Sequence, residues 1–127
     1  MEYEQNDLIF EVNHENQTAA LKKCLQDTGT VVVPRFVKYE RKKSYKVTSI
    51  SSGAFRYKHL NCLRFANNPE VTTFDYEAFE NAYIQMIQIP GKLQLIRDGA
   101  FFHLEYVRFF NTADNPSFTF HNNEILI

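Results

Sequence analysis

Tryptophan is absent from the 127 residues, and cysteine, methionine, glycine and proline are scarce, with two, two, four and four copies. Two cysteines, Cys24 and Cys62, cannot build a disulfide framework; their isolation suggests free thiols, and a single bridge stays open. Four glycines supply no loop able to cradle a phosphate. There is no Gly-x-Ser-x-Gly elbow and no Cys/His spacing suited to zinc. No run approaches the ~20 apolar residues of a membrane span. Charge of one sign is also missing. The net value of −1 asks for neither nucleic acid nor an anionic membrane as partner. Residues 1–7 are polar and acidic, the opposite of a secretory leader, so conventional export is not expected. These absences point away from catalysis: no enzyme, cofactor or metal site is expected. A thiol nucleophile at Cys24 or Cys62, paired with a histidine, is the one formal exception. An unsupported Cys is more often a small buried hydrophobe.

What is present is aromatic and repetitive. Twelve Phe and seven Tyr must stack against one another, because scattered rings on a surface would invite association. The length suits one domain with one core. Five Lys or Arg crowd residues 38–46, which read as a solvated loop. The triplet Asn16-Gln17-Thr18 is a lone glycosylation sequon, meaningful only in a secreted chain.

Ala-Phe recurs at Ala54-Phe55, Ala78-Phe79 and Ala100-Phe101, at spacings of 24 and 22 residues. Four residues before each Ala closes a short apolar phrase, at Ile50, Phe74 and Ile96. After each Ala-Phe comes a phrase of the form L-x-x-L-x-L: Leu60-x-x-Leu63-x-Phe65, Ile84-x-x-Ile87-x-Ile89 and Leu104-x-x-Val107-x-Phe109. Three features in one order over three units define a repeat. The alternation that ends each L-x-x-L-x-L is that of a half-buried strand. The expected fold is therefore a mainly β solenoid. Parallel strands stack one per repeat, and short helical or irregular limbs return between them. Leu63, Ile87 and Val107 would form one inward ladder, and Phe65, Ile89 and Phe109 the next. No repeat buries its apolar face alone, so stability must come from stacking of neighbours.

Pro and Asx residues punctuate the units at Asn67-Asn68-Pro69-Glu70, Ile89-Pro90-Gly91-Lys92 and Asp114-Asn115-Pro116-Ser117. Units start near residues 47, 71 and 93, with a partial one near 118. It ends at Glu124-Ile125-Leu126-Ile127, a makeshift cap or a truncated array. Residues 1–46 are distinct: a hairpin cap, a first strand at Val31-Val32-Val33 and the basic loop. The hairpin is read at 8–25, although Ala19-Ala20-Leu21-Lys22-Lys23 could equally start a helix. A hairpin there would cover the open edge of the first repeat.

Val47-Thr48-Ser49-Ile50, Gly53-Ala54-Phe55, Gly99-Ala100-Phe101 and Ile87-x-Ile89-Pro90 together resemble the BspA-like leucine-rich repeat, over roughly residues 8–120. The resemblance implies a non-enzymatic leucine-rich repeat protein of the adhesion or protein-binding kind, often exposed at a cell surface; without a leader, a cytoplasmic location is the alternative. The chain departs from the family in its few repeats, in lacking a recognisable signal or anchor, and in lacking a Cys after Ala-Phe.

Binding on a repeat scaffold belongs to the outward strand face. The inward ladders leave two outward rows: Cys62, Met86 and Tyr106, then Arg64, Gln88 and Arg108. Tyr and Arg are favoured interface anchors and Met adapts to irregular partners. A protein partner is expected there; the alternative is a structural capping fragment of a larger solenoid, or a unit that self-associates through the C-terminal repeat. His59, Tyr83 and His103 form a third row, read as stacked, half-exposed rings. Two histidines on alternate rungs would lie ~9–10 Å apart, too far to share a metal.

Overall fold

The computed structural model describes residues 1–127 apart from 41, 42, 105–108, 112–114, 116, 118, 122, 123 and 127. The described residues contain strands, turns and no helix. The chain opens with antiparallel pairs. Strand β1 (Glu2–Gln5) runs against β2 (Leu8–Asn13), which turns back into β3 (Thr18–Cys24). Asn13 shapes that turn, its Oδ1 accepting the backbone N–H of Glu15 at 3.0 Å. Of the two readings left open for residues 19–23, strand is the one realised, because Ala19, Leu21 and Cys24 face the core opposite Leu8, Phe10 and Val12.

Beyond the hairpin, β4 (Thr30–Val33) leads to β5 (Phe36–Tyr39) and β6 (Lys43–Ile50), which pair antiparallel. The basic stretch 38–46 was expected as a loop; its two ends are strand instead. Lys38 and Lys46 occupy outward positions of strands whose inward positions are Val37, Tyr45 and Val47, an ordinary period-2 pattern masked by charge density.

From β6 onward the chain alternates between two sheets. The remaining strands are β7 (His59–Phe65), β8 (Thr73–Phe74), β9 (Tyr83–Gln88), β10 (Leu95–Ile96) and β11 (Phe109–Asn111). One sheet has the order β1-β2-β3-β6-β8-β10, with β5 also on β6; the other is all parallel, β4-β7-β9-β11. The last two strands, β12 (Thr119–His121) and β13 (Glu124–Leu126), make a separate antiparallel pair. Each repeat thus lays a strand in both sheets. The return limb is not helical: Ile50, Phe74 and Ile96 sit in register on β6, β8 and β10.

The Ala-Phe turns stack rung on rung. Phe55 N–H donates to the Ala78 carbonyl at 2.8 Å, and Phe79 N–H donates to that of Ala100 at 2.8 Å. Ala54, Ala78 and Ala100 are buried where these neighbouring backbones meet. Each turn needs two left-handed residues, four apart. The first are Gly53, Glu77 and Gly99 at φ of 70°, 55° and 72°; the second are Tyr57, Asn81 and His103 at 60°, 55° and 51°. Phe55, Phe79 and Phe101 stack at 5.3 and 5.4 Å between centroids, with Phe74 edge-on to Phe79 at 5.2 Å. Burying each full ring contributes on the order of 2–3 kcal/mol, and each ring pair adds about 0.5–1.5 kcal/mol.

The third unit departs from the expected register. Strand β11 sets Phe109 beside Met86 and Phe110 beside Ile87, whereas the sequence pattern set Val107 beside Ile87. The reason is chain length. Nine residues lead from Ala54 to Leu63 and from Ala78 to Ile87, and ten from Ala100 to Phe110, but only seven from Ala100 to Val107. Seven residues are too few to cross from the turn to the parallel sheet in the same path.

Candidate functional site

The all-parallel sheet carries the candidate surface on its outer side. Its inward residues, Val31, Val33, Leu63 and Ile87, are buried, so period-2 alternation turns their neighbours outward. One outward row aligns Thr30, Cys62 and Met86, with the backbone of Phe109 completing it. The next aligns Val32 with Arg64, and continues through Gln88 to the backbone of Asn111. Strands in such a sheet lie about 4.8 Å apart, so adjacent side chains in a row touch. Val32 and Arg64 are exposed, while Cys62, Met86 and Gln88 are half-buried.

Four of the six residues expected on this face are therefore found together: Cys62, Arg64, Met86 and Gln88. Tyr106 and Arg108 lie outside the described residues, and the rung positions assigned to them belong to Phe109 and Asn111 by backbone register. Val32 was missed. Its signal was available, because Val31-Val32-Val33 matches a strand phrase whose middle residue must face out. Gln88 has a structural duty as well: its Oε1 accepts the Phe65 backbone N–H at 2.7 Å, which satisfies the end of β7.

Cys24 and Cys62 are both free. Burial pushes both thiols above their ordinary value, only partly opposed by Arg64 beside Cys62 and by the Gln26 carbonyl beside Cys24. Neither is a ready thiolate nucleophile at neutral pH.

A groove of about 740 Å³ opens at the C-terminal ends of these strands, lined by Arg35, Phe65, Asn68, Gln88 and Lys92 among others. Its cations are tied down by the mostly buried Glu70, which accepts from Lys92 Nζ at 2.9 Å and from Arg35 Nη2 at 2.8 Å. Those two hydrogen bonds hold the Glu70 carboxyl down at about 2. Glu70 thus straps the turn at 67–70 to the β4–β5 connection on one side and to the turn at 90–92 on the other. Sequence reading registered the turn and missed the strap, because nothing local marks a glutamate whose partners lie 35 and 22 residues away.

At the opposite ends of β7 and β9, His59 stacks on Tyr83 at 4.6 Å. His103 does not extend that row. It occupies the left-handed turn position shared with Tyr57 and Asn81, and stacks on Phe102 at 4.0 Å. Among the described residues, no group of three or more His, Cys, Asp or Glu could hold a metal ion. No helix there is long and apolar enough to cross a membrane.

The pattern of the BspA type leucine-rich repeat region (6 copies) matches residues 40–125, about two thirds of the chain. Among curated proteins the sequence has no match. Among solved structures, a leucine-rich repeat protein from Bacteroides capillosus is similar at a TM-score of 0.60 and 16% identity. It shares 87% of this chain and 96% of its own. The pneumococcal vaccine antigen PcpA is similar at 0.58 and 14% identity, over 91% of this chain and 39% of that one. At such identities the likeness concerns the fold.

Proposed function

Because the chain belongs to the BspA-type leucine-rich repeat family, we propose that it is a non-enzymatic protein-binding module, a short solenoid of the adhesion type that acts at a cell surface. In this reading residues 1–46 supply the hairpin cap and first strand, and 47–127 supply the repeats. The outer face of the parallel sheet is the partner surface. The observation that carries the reading is the side-by-side alignment of Val32 with Arg64 and of Cys62 with Met86. That places an exposed cation next to adaptable apolar surface on a rigid frame, the composition of interface anchors. Tyr106 and Arg108, outside the described residues, stay candidates on the sequence pattern alone.

The test is a triple variant, Val32→Ser, Arg64→Ala and Met86→Ala, with its melting temperature checked against the parent. Immobilised parent protein should capture a set of host or bacterial proteins that the variant releases. An identical captured set would sink the reading.

A second reading, self-association through the C-terminal rung, is favoured by one observation: among the described residues β10 and β11 are the last strands of their respective sheets, and a terminal strand is where a second copy could pair. Light scattering over a hundredfold concentration range separates the two. A constant monomer mass favours the partner surface, and growing mass favours assembly.

A further inference from the structure

The turn end of the parallel sheet holds a second, chemically different site. Tyr57, His59, Asn81, Tyr83 and His103 line a shallow pocket of about 420 Å³, within the range of small-ligand sites. They come from three consecutive repeats. The backbone aligns Tyr57 with Glu80 and Asn81 with Phe102 by hydrogen bonds at 3.1 and 3.0 Å, and β7 pairs His59 with Tyr83. The pocket is therefore made by stacking and exists in no single unit.

Its composition is selective. Every described lining residue carries a hydrogen-bonding group, four of the five carry rings, and none is Asp, Glu, Lys or Arg. Lys58, between Tyr57 and His59 in the chain, has its ammonium on Asp27 at 2.9 Å. Ring faces beside an amide, imidazoles and phenols suit a ligand with an apolar C–H face and hydroxyls that both donate and accept. A pyranose is such a ligand. A proline-rich segment suits it less, since it offers carbonyl acceptors and no donors to match the acceptor atoms of the pocket.

The backbone points the same way. Where the turn first goes left-handed, glycine fills two of three positions, Gly53 and Gly99; where it does so again, at the pocket, the residues are Tyr57, Asn81 and His103. Glycine would take that conformation without strain, and a Tyr or His there is strained. Tyr57 is 65% exposed, so core packing does not explain why a ring is kept there.

We propose that this pocket binds an uncharged sugar, a mono- or disaccharide unit stacked on the rings and hydrogen-bonded by Asn81 and the imidazoles. The site is separate from the protein-binding face and does not rest on it.

The test is titration of the full ¹⁵N-labelled chain with lactose, cellobiose and diacetylchitobiose, followed by amide shifts. At least one sugar should give saturable shifts centred on residues 57–59, 81–83 and 103. Tyr57→Gly removes a ring and relaxes its backbone. It should weaken that sugar at least tenfold while the melting temperature stays level or rises, and His59→Ala should weaken it at a preserved fold. Arg64→Ala should leave sugar binding unchanged. The proposal is overturned by the absence of saturable shifts with all three sugars or by shifts centred on Arg64 and Met86. Undiminished binding by Tyr57→Gly, or a decaproline peptide saturating these amides where the sugars do not, overturns it as well.

Discussion

Phe79 lies between Phe55 and Phe101, fully buried and stacked on both. Truncation to Ala would leave a cavity at the centre of the ladder, where neighbours on both sides are fixed by their own turns. Phe79→Ala should cost about 3–5 kcal/mol in urea unfolding, and Phe101→Ala less, because Phe101 is only half-buried. At the left-handed turn position the middle repeat departs from its neighbours by carrying Glu77 in place of Gly53 and Gly99. A Cβ at Gly53 would come within 2.9 Å of Arg56 Nη1 at a φ of 70°. Gly53→Ala should therefore lower stability by about 1–2 kcal/mol, whereas Glu77→Gly should raise it by up to about 1 kcal/mol through backbone relief. Glu77 has a raised carboxyl pKa, because it hydrogen-bonds and faces the like charge of Glu80. A raised acid loses stability as pH rises through its folded value, so the gain from Glu77→Gly should be larger at neutral pH than in acid. Melting curves at both conditions check the sign.

Among the elements, the short return strands are held less by their own two-residue ladders than by what closes the turns around them. Glu70 is one closure. Its folded value of about 2 lies below the ordinary 4.5. The strap is fully effective above the ordinary value and is lost as pH falls through about 2. Glu70→Gln should lower the melting temperature at neutral pH and flatten its decline in acid. A parallel decline in parent and variant would contradict the strap. Asn115 is the other closure. Buried at 2% exposure, its Nδ2 donates to the carbonyls of Pro90 at 2.8 Å and Leu93 at 3.0 Å. Asn115→Ala leaves both carbonyls without that partner, and should cost about 1–3 kcal/mol in urea unfolding. The sequence likened Asn115 to Asn68 through the shared Asn-Pro pair, but the two differ in burial: Asn68 is exposed, and Glu70 does the closing in its turn. Register at β11 was misread for a related reason. Val107-x-x-Phe110 satisfies the opening of the L-x-x-L-x-L phrase as well as Leu104-x-x-Val107 does, and a slip by an odd number of residues reverses which side chains face in.

Across the whole molecule, stability comes from repeats that bury one another, so damage at one rung should propagate. Unfolding of Phe79→Ala, followed separately by circular dichroism and by Tyr fluorescence, should remain one cooperative transition, because Phe79 packs in the central rung. The repeat, the Ala-Phe ladder, the N-terminal hairpin as one of two readings, and the outward placement of Cys62, Arg64, Met86 and Gln88 were legible in the sequence. They depend on period-2 alternation and on a spacing near 23 residues, both local or periodic patterns that the chain displays in one dimension. The parallel extension of the hairpin sheet through β8 and β10 was not legible, because two residues in each of those strands are too few to alternate. Nor were the Glu70 strap, the addition of Tyr57 and Asn81 to the end where His59, Tyr83 and His103 lie, and the true partners of Met86. Those depend on how many residues a crossing consumes and on which side chains from different rungs meet. Only the stacking of one turn on the next decides that.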